Sequence, residues 1–172
     1  LSLKEKTDRK GVLVSPVELR KLLESSAVDD KATTDNQQPI TDNWTFTDAE
    51  MMTAVGHLDT HGYVTVLRNA AGEQTILFTP DLLVNLAASI MLLADKNPRE
   101  LGAVSETELL QGQYPFDELK GLEPREAQTL LDAAILRFLE HNICFRDTFN
   151  DDTLLIFPSL IKQKRPLQDD AP

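Results

Sequence analysis

Val14-Ser15-Pro16-Val17-Glu18-Leu19 and Val104-Ser105-Glu106-Thr107-Glu108-Leu109 are two writings of one pattern, and this duplication constrains the fold more than anything else in the chain. A spacing of roughly eighty to ninety residues is longer than a solenoid period, so it marks a duplicated subdomain. Each copy follows a glycine, Gly11 or Gly102. Each serine stands where an N-cap belongs, with Glu18 or Glu108 three residues later at the capping-box spacing. Both copies are expected to open with a short helix.

A longer amphipathic helix follows in each copy. Thr47 can cap one that runs to about His61, with Met51, Val55 and Leu58 on its apolar stripe. Glu123 to Glu140 carries Ala127, Leu130, Leu131, Ala134, Ile135 and Phe138 at helical spacing, with Pro124 in the first turn. Gly62 and Asn142 suit a left-handed stop at the two helix ends. Two β-rich runs then flank a polar turn in each copy. The first pair is Tyr63 to Leu67 and Thr75 to Phe78, around Arg68 to Glu73. The second is Ile143 to Phe145 and Leu154 to Phe157, around Asp147 to Asp152. Both pairs predict hairpins. Each runs on into proline and an apolar pair, Pro80-Asp81-Leu82-Leu83 and Pro158-Ser159-Leu160-Ile161.

Helix, helix and hairpin, twice over, is the order of a winged-helix unit. A lone hairpin is barely stable, and packing it on the helices buries both apolar stripes. The expected fold is α+β, mainly α, with two tandem winged-helix-like subdomains, each of helices plus a small antiparallel β-hairpin. Their expected bounds are 11–79 and 102–166, joined by a connecting helix and loop over 80–101 that Asn97-Pro98 helps to end. Residues 1–10 read as a flexible linker and 167–172 as a disordered tail. Residues 29–43 have almost no apolar side chains and read as a mobile insertion, pinned to the first core by Trp44 and Phe46.

Composition narrows the function. The chain has 172 residues and is 41% hydrophobic, which suits small cores of helix and sheet. It carries 17 Lys and Arg against 28 Asp and Glu, a formal net charge of -11. Such a surface repels phosphates and anionic membranes and favours basic partners, so neither nucleic acid nor membrane is expected as a partner. No apolar run approaches the ~20 residues that span a bilayer, and no signal peptide is visible. The single cysteine, Cys144, excludes an internal disulfide framework and fits a reducing, cytoplasmic compartment. Leu1 stands in place of an initiator Met, from which trimming from a larger parent is expected.

Two stretches resemble the first half of the COR domain, the C-terminal-of-Roc region of Roco-type proteins. One is Leu58-Asp59-Thr60-His61-Gly62-Tyr63-Val64-Thr65-Val66 with Ile76-Leu77-Phe78-Thr79-Pro80-Asp81-Leu82-Leu83. The other is Phe138-Leu139-Glu140, Ile143-Cys144-Phe145 and Leu155-Ile156-Phe157-Pro158-Ser159-Leu160-Ile161, with Pro166 beyond. The resemblance covers about Val12 to Pro166 and rests on apolar residues, glycines and prolines. It implies a non-catalytic regulatory and protein-interaction module that couples a neighbouring GTPase domain of the same parent to the rest of the chain. In that family the later half of COR carries much of the dimer contact, so any homodimer is expected to form through parts outside this chain. The sequence has no G-x-x-x-x-G-K-[ST] loop, so no nucleotide and no other cofactor is expected.

Sharper readings compete with this one. A winged helix can be a DNA-binding transcription regulator, reading a groove with its second helix. Here that helix, Thr47 to His61, has no Lys or Arg and carries Asp48, Glu50 and Asp59. The second-copy helix sets Arg125 and Arg137 against Glu126, Asp132 and Glu140. His57 and His61 share one helix face at zinc-ligand spacing, but no Glu follows His57, and both suit the helix C-terminus. Asp147, Asn150, Asp151 and Asp152 lack the regular calcium-loop spacing and read as a polar turn. Cys144 in a strand, with His141 nearby, reads as a buried structural thiol. The basic run Lys162-Gln163-Lys164-Arg165 reads as a solvated exit segment or a contact with the next domain. No catalytic, cofactor-binding or metal-binding residue is assigned, and the chain is not expected to be an enzyme. The contact surfaces expected are the two hairpins and the exposed faces of the two long helices.

Overall fold

A computed structural model describes residues 12–29, 45–69, 71–98 and 101–162. The expected linker over 1–10, Gly11, residues 30–43 of the insertion, Trp44, Gln163-Lys164-Arg165, Pro166 and the 167–172 tail lie outside them. The chain divides into two compact units, Leu1–Pro80 and Asp81–Pro172.

In the first unit a two-residue strand β1 (Leu13–Val14) leads into α1 (Pro16–Asp29), then α2 (Asp48–Thr60), β2 (Thr65–Arg68) and β3 (Gln74–Leu77). The second has α3 (Pro80–Asp95, its first residue falling before the division), β4 (Ala103–Ser105), α4 (Glu106–Leu110), α5 (Pro124–Glu140), β5 (Phe145–Phe149) and β6 (Asp152–Ile156). Short 3-10 turns occupy Asp117–Leu119 and Pro158–Leu160. The chain is thus mixed α and β, with two small antiparallel sheets ordered β1-β3-β2 and β4-β6-β5.

Side-chain caps start the helices. Ser15 Oγ accepts from the Glu18 amide (3.3 Å) while Glu18 Oε2 accepts from the Ser15 amide (2.9 Å). Thr47 and Glu50 repeat this reciprocal box at 3.2 and 2.8 Å. In the second unit Ser105 Oγ still caps Glu108 (3.2 Å), and it also donates to Asp152 Oδ1 (2.8 Å), tying the start of α4 to β6. Glu108 there accepts from the Tyr114 hydroxyl. The two opening helices differ in length, 14 residues in α1 and 5 in α4, so only the second is short.

The helix ends behave as expected. Gly62 (φ 75°) and Asn142 (φ 54°) are left-handed and close α2 and α5 identically. The Gly62 amide donates to Asp59 O and the Tyr63 amide to Leu58 O, both at 3.0 Å. Asn142 and Ile143 donate to Leu139 O (3.1 Å) and Phe138 O (2.8 Å). Each pair is a Schellman closure that satisfies the last carbonyls and turns the chain into its hairpin.

Three expectations need correction. Each sheet has a third strand, β1 or β4, just ahead of the serine cap; Val14 pairs with Ile76 and Val104 with Leu155. The second hairpin turns on Asn150 and Asp151 alone (φ 51° and 64°), the left-handed pair of a type I′ turn. Asp147 and Asp152 therefore lie within β5 and β6, and Cys144 precedes β5. Leu58 is exposed, because the buried stripe of α2 is Met51 and Val55 and Leu58 lies in the last turn.

The first core gathers Val14, Leu19, Met51, Val55, Val64 and Ile76, with Phe46, Met52 and Val66 at its margin. Arg20 fastens α1 to the start of α2 by pairing with Asp48, donating to Phe46 O (3.1 Å) and lying 5.2 Å over the Phe46 ring. In the second unit α5 buries Leu130, Leu131, Ala133, Ala134, Ile135 and Phe138, and the Phe138 and Phe157 rings meet edge-on at 5.1 Å. Fully burying one such side chain contributes roughly 1.5–3 kcal/mol. The helix α3, expected as a connector, buries Leu86, Ile90 and Ala94 and bonds onward through Ser89 to Glu118 (2.8 Å) and Asp95 to Lys162 (2.8 Å).

The two units also share a backbone bond beyond the ladders. Phe78 N–H donates to Val12 O (3.0 Å) and Phe157 N–H to Gly102 O (2.8 Å). At Gly102 (φ 57°) an added Cβ would sit 2.8 Å from Leu160 Cβ and 2.9 Å from Phe157 O. Gly102→Ala combines left-handed strain with this overlap and is expected to destabilise the second unit by roughly 2–4 kcal/mol. A chemical denaturation curve of the variant checks this; an unchanged midpoint contradicts it.

Candidate interaction surface

The two hairpins present different faces. In the first sheet Val14, Val66 and Ile76 face the core cluster, and Leu13, Leu67 and Leu77 on the opposite face are buried as well. The outer edge of β2 is also engaged, since the Val66 amide, pointing away from β3, donates to Asp59 Oδ1 of α2 (3.3 Å). Within β2 and β3 little apolar surface is free, and the exposed apolar residues of that hairpin are those flanking it, Tyr63 and Phe78.

In the second sheet all five residues of β5 are exposed. The pairing of Phe145 with Ile156 and of Arg146 with fully buried Leu155 assigns the faces. Arg146 and Thr148 share the inner face with Leu155, whereas Phe145, Asp147 and Phe149 point outward beside half-buried Leu154 and Ile156. Phe145 is 46% and Phe149 57% exposed, and Ile143 ahead of the strand is 38% exposed. Among the described residues β5 is a sheet edge.

A half-buried ion pair holds this edge strand. Arg146 Nε and Nη2 donate to Glu106 Oε2 (2.7 Å) and Oε1 (2.6 Å), linking β5 to the first turn of α4. Glu106 is buried and Arg146 half exposed. Bonds to charged groups contribute roughly 1.5–3 kcal/mol, and the wet side of Arg146 puts this pair at the low end. The bonds to Glu106 raise the Arg146 pKa above its ordinary value. Burial raises that of Asp132 on α5, with Gln128 opposing and Glu106 adding to the rise. The Tyr114 hydroxyl is pushed up to about 12, first by burial and then by its bond to Glu108.

The other sequence candidates are not brought together. His61 Nδ1 lies 2.8 Å from His57 O, so the two histidines meet ring to backbone. Among the described residues no group of three or more His, Cys, Asp or Glu is placed to hold a metal ion. Asp147 Oδ1 accepts from the Thr148 amide (2.9 Å) and Asp152 Oδ1 from the Ser105 hydroxyl, so one bond stays within β5 and the other ties β6 to the cap of α4. Cys144 is buried, and burial pushes its thiol up to about 11, with Arg146 opposing and Glu106 adding. A thiol so placed stays protonated at neutral pH and is a poor nucleophile. The exposed positions of α2 include Asp48, Glu50, Thr53 and His57, without a Lys or Arg. No described helix is long and apolar enough to cross a membrane.

Sequence reasoning named the hairpins but missed Phe145 and Phe149 as a pair, because Asp147 to Asp152 read as one turn. The signal was present in the alternation Phe145-x-Asp147-x-Phe149 followed directly by Asn150-Asp151. No protein-family model matches the chain, and no curated protein or solved structure matches it.

Two outcomes follow. Cys144 should react with a thiol-specific chromogenic reagent far more slowly in the native chain than after denaturation, and equal rates would contradict its burial. Asp132 binds its proton more tightly folded than unfolded, so its contribution is favourable below the unfolded pKa and is lost as pH rises through the raised folded value. Asp132→Asn should therefore raise Tm at pH 7, with the difference closing in acid.

Proposed function

We propose that this chain is a non-catalytic regulatory module made of two winged-helix-like units, the first half of a COR-type region, and that it docks on a neighbouring GTPase domain of a larger cytoplasmic protein. Element order supports the winged-helix part. In each unit a short strand precedes two helices and a hairpin, and the last strand lies between the other two. The observation that carries the interaction reading is the outward pair Phe145 and Phe149 on a hairpin built from this repeat. Two large apolar side chains held in water on a braced strand are what a docking surface requires.

The mechanism in this reading is a shift of packing. A neighbour that changes shape with its nucleotide binds the module with different affinity in its two states, and that difference is what is relayed. DNA binding is the opposing reading. The cation-free face of α2 and the net charge of -11 work against phosphate, which normally supplies most non-specific affinity.

Calorimetry and gel shifts separate these readings. The isolated chain should give no binding heat with GTP and Mg²⁺, and should not retard random duplex DNA at low salt. It should bind a Roc-type GTPase domain with an affinity at least threefold different between the GDP-loaded and GTP-analogue-loaded states. Equal affinity, or none in either state, overturns the relay, and retardation of the duplex favours the transcription-regulator reading.

A further inference from the structure

The two sheets treat their free edges differently. In an antiparallel pair the residues of a strand point their backbone groups alternately toward the partner and away from it. The two-residue turn at Asn150 and Asp151 makes Phe149 and Asp152 a hydrogen-bonded pair, so Thr148 and Arg146 aim their N–H and C=O groups outward. The Thr148 amide reaching Asp147 Oδ1 at 2.9 Å agrees with that direction. The same count in the first unit sends Val66 outward, where Asp59 on α2 accepts its amide. Asp59 lies three residues before the left-handed closing residue Gly62, and the residue three before Asn142 is Leu139, which has no acceptor. The second edge therefore lacks the cover that the helix gives the first. It has no Lys, Pro or bulge, and its charges are Arg146, turned inward onto Glu106, and Asp147, turned outward.

We propose that the β5 edge is a docking site for an extended peptide segment whose outward row reads apolar, basic, apolar, added antiparallel as a fourth strand. The bonds exchanged with Arg146 and Thr148, whose amide gives up Asp147 Oδ1 for the partner's carbonyl, fix the register. They set the partner's two apolar residues against Phe145 and Phe149, and its Lys or Arg against Asp147 between them. Cross-strand neighbours sit about 4.5–5.5 Å apart, close enough for both kinds of contact. The charge decides the occupant. A second copy of this chain in the same register would also bring Phe145 to Phe149, but it would set Asp147 directly against its counterpart. Of the two adjacent registers, one sets Arg146 against its counterpart and the other sets Asp147 against Phe149, where the carboxylate meets an aromatic ring and no cation. Like charges directly opposite are destabilising, whereas a cation meets Asp147 on a chain of net charge -11. This surface does not require that the neighbour be a GTPase, and its test uses a peptide, so its failure and that of the relay reading can be told apart.

The experiment titrates the full ¹⁵N-labelled chain at pH 7 with two capped peptides, TVTKTVT and TVTETVT, and follows backbone amide shifts. The lysine peptide should shift Arg146 to Phe149 and bind at least tenfold more tightly than the glutamate peptide. Asp147→Lys, checked for unchanged shifts away from β5, should reverse the preference. Equal binding of the two peptides, shifts centred elsewhere, or no shifts with either overturns the proposal. Sedimentation of the unaltered chain as a β5-mediated dimer at pH 7 overturns it in favour of a second copy.

Discussion

Each unit is closed by a backbone ladder between its first strand and its last. Leu13 and Val14 meet Leu77 and Ile76, and Ala103 to Ser105 meet Ile156 to Leu154. These are the contacts of greatest sequence separation in either sheet, and everything between them is thereby folded back on itself. In each sheet the strand that opens the unit and the strand that ends it are neighbours. Ile76 and Leu155 in the central strands are fully buried, β1 and β4 beside them are buried throughout, and only β5 is exposed along its whole length.

The two units differ in their polar ties. The first joins its helices through Arg20, Asp48 and Phe46. The second instead ties the start of α4 to the hairpin twice, through Ser105 to Asp152 and Glu106 to Arg146. A hairpin braced from within can hold apolar residues on its other face without collapsing onto them. That is the physical link between a half-buried ion pair on one side of β5 and exposed aromatic rings on the other.

Most of the frame was legible in the residues, and the reasons are local. Capping boxes, Pro124, and the left-handed stops at Gly62 and Asn142 depend on a few adjacent side chains, so α2 and α5 could be placed closely. The strands β1 and β4 were not legible. They are two and three residues long, run straight into a serine cap, and exist only because a distant strand pairs with them. The β5 edge was misread because a strand exposed along its whole length has the polar composition of a turn. Its turn chemistry was confined to Asn150 and Asp151, the two residues with positive φ. Leu58 shows the opposite error, since helical spacing assigned it to a buried stripe from which the last turn of α2 leads away.

The bonds from Phe78 to Val12 and from Phe157 to Gly102 place the entrance and exit of each ladder side by side. Tension applied through those two points would load the ladder from its open end, one rung after another. Antiparallel rungs lie across the strands and give way singly under such a pull, in the manner of a zipper; a pull along the strands would strain them all together. Each sheet is therefore arranged to open rung by rung under a pull at its open end.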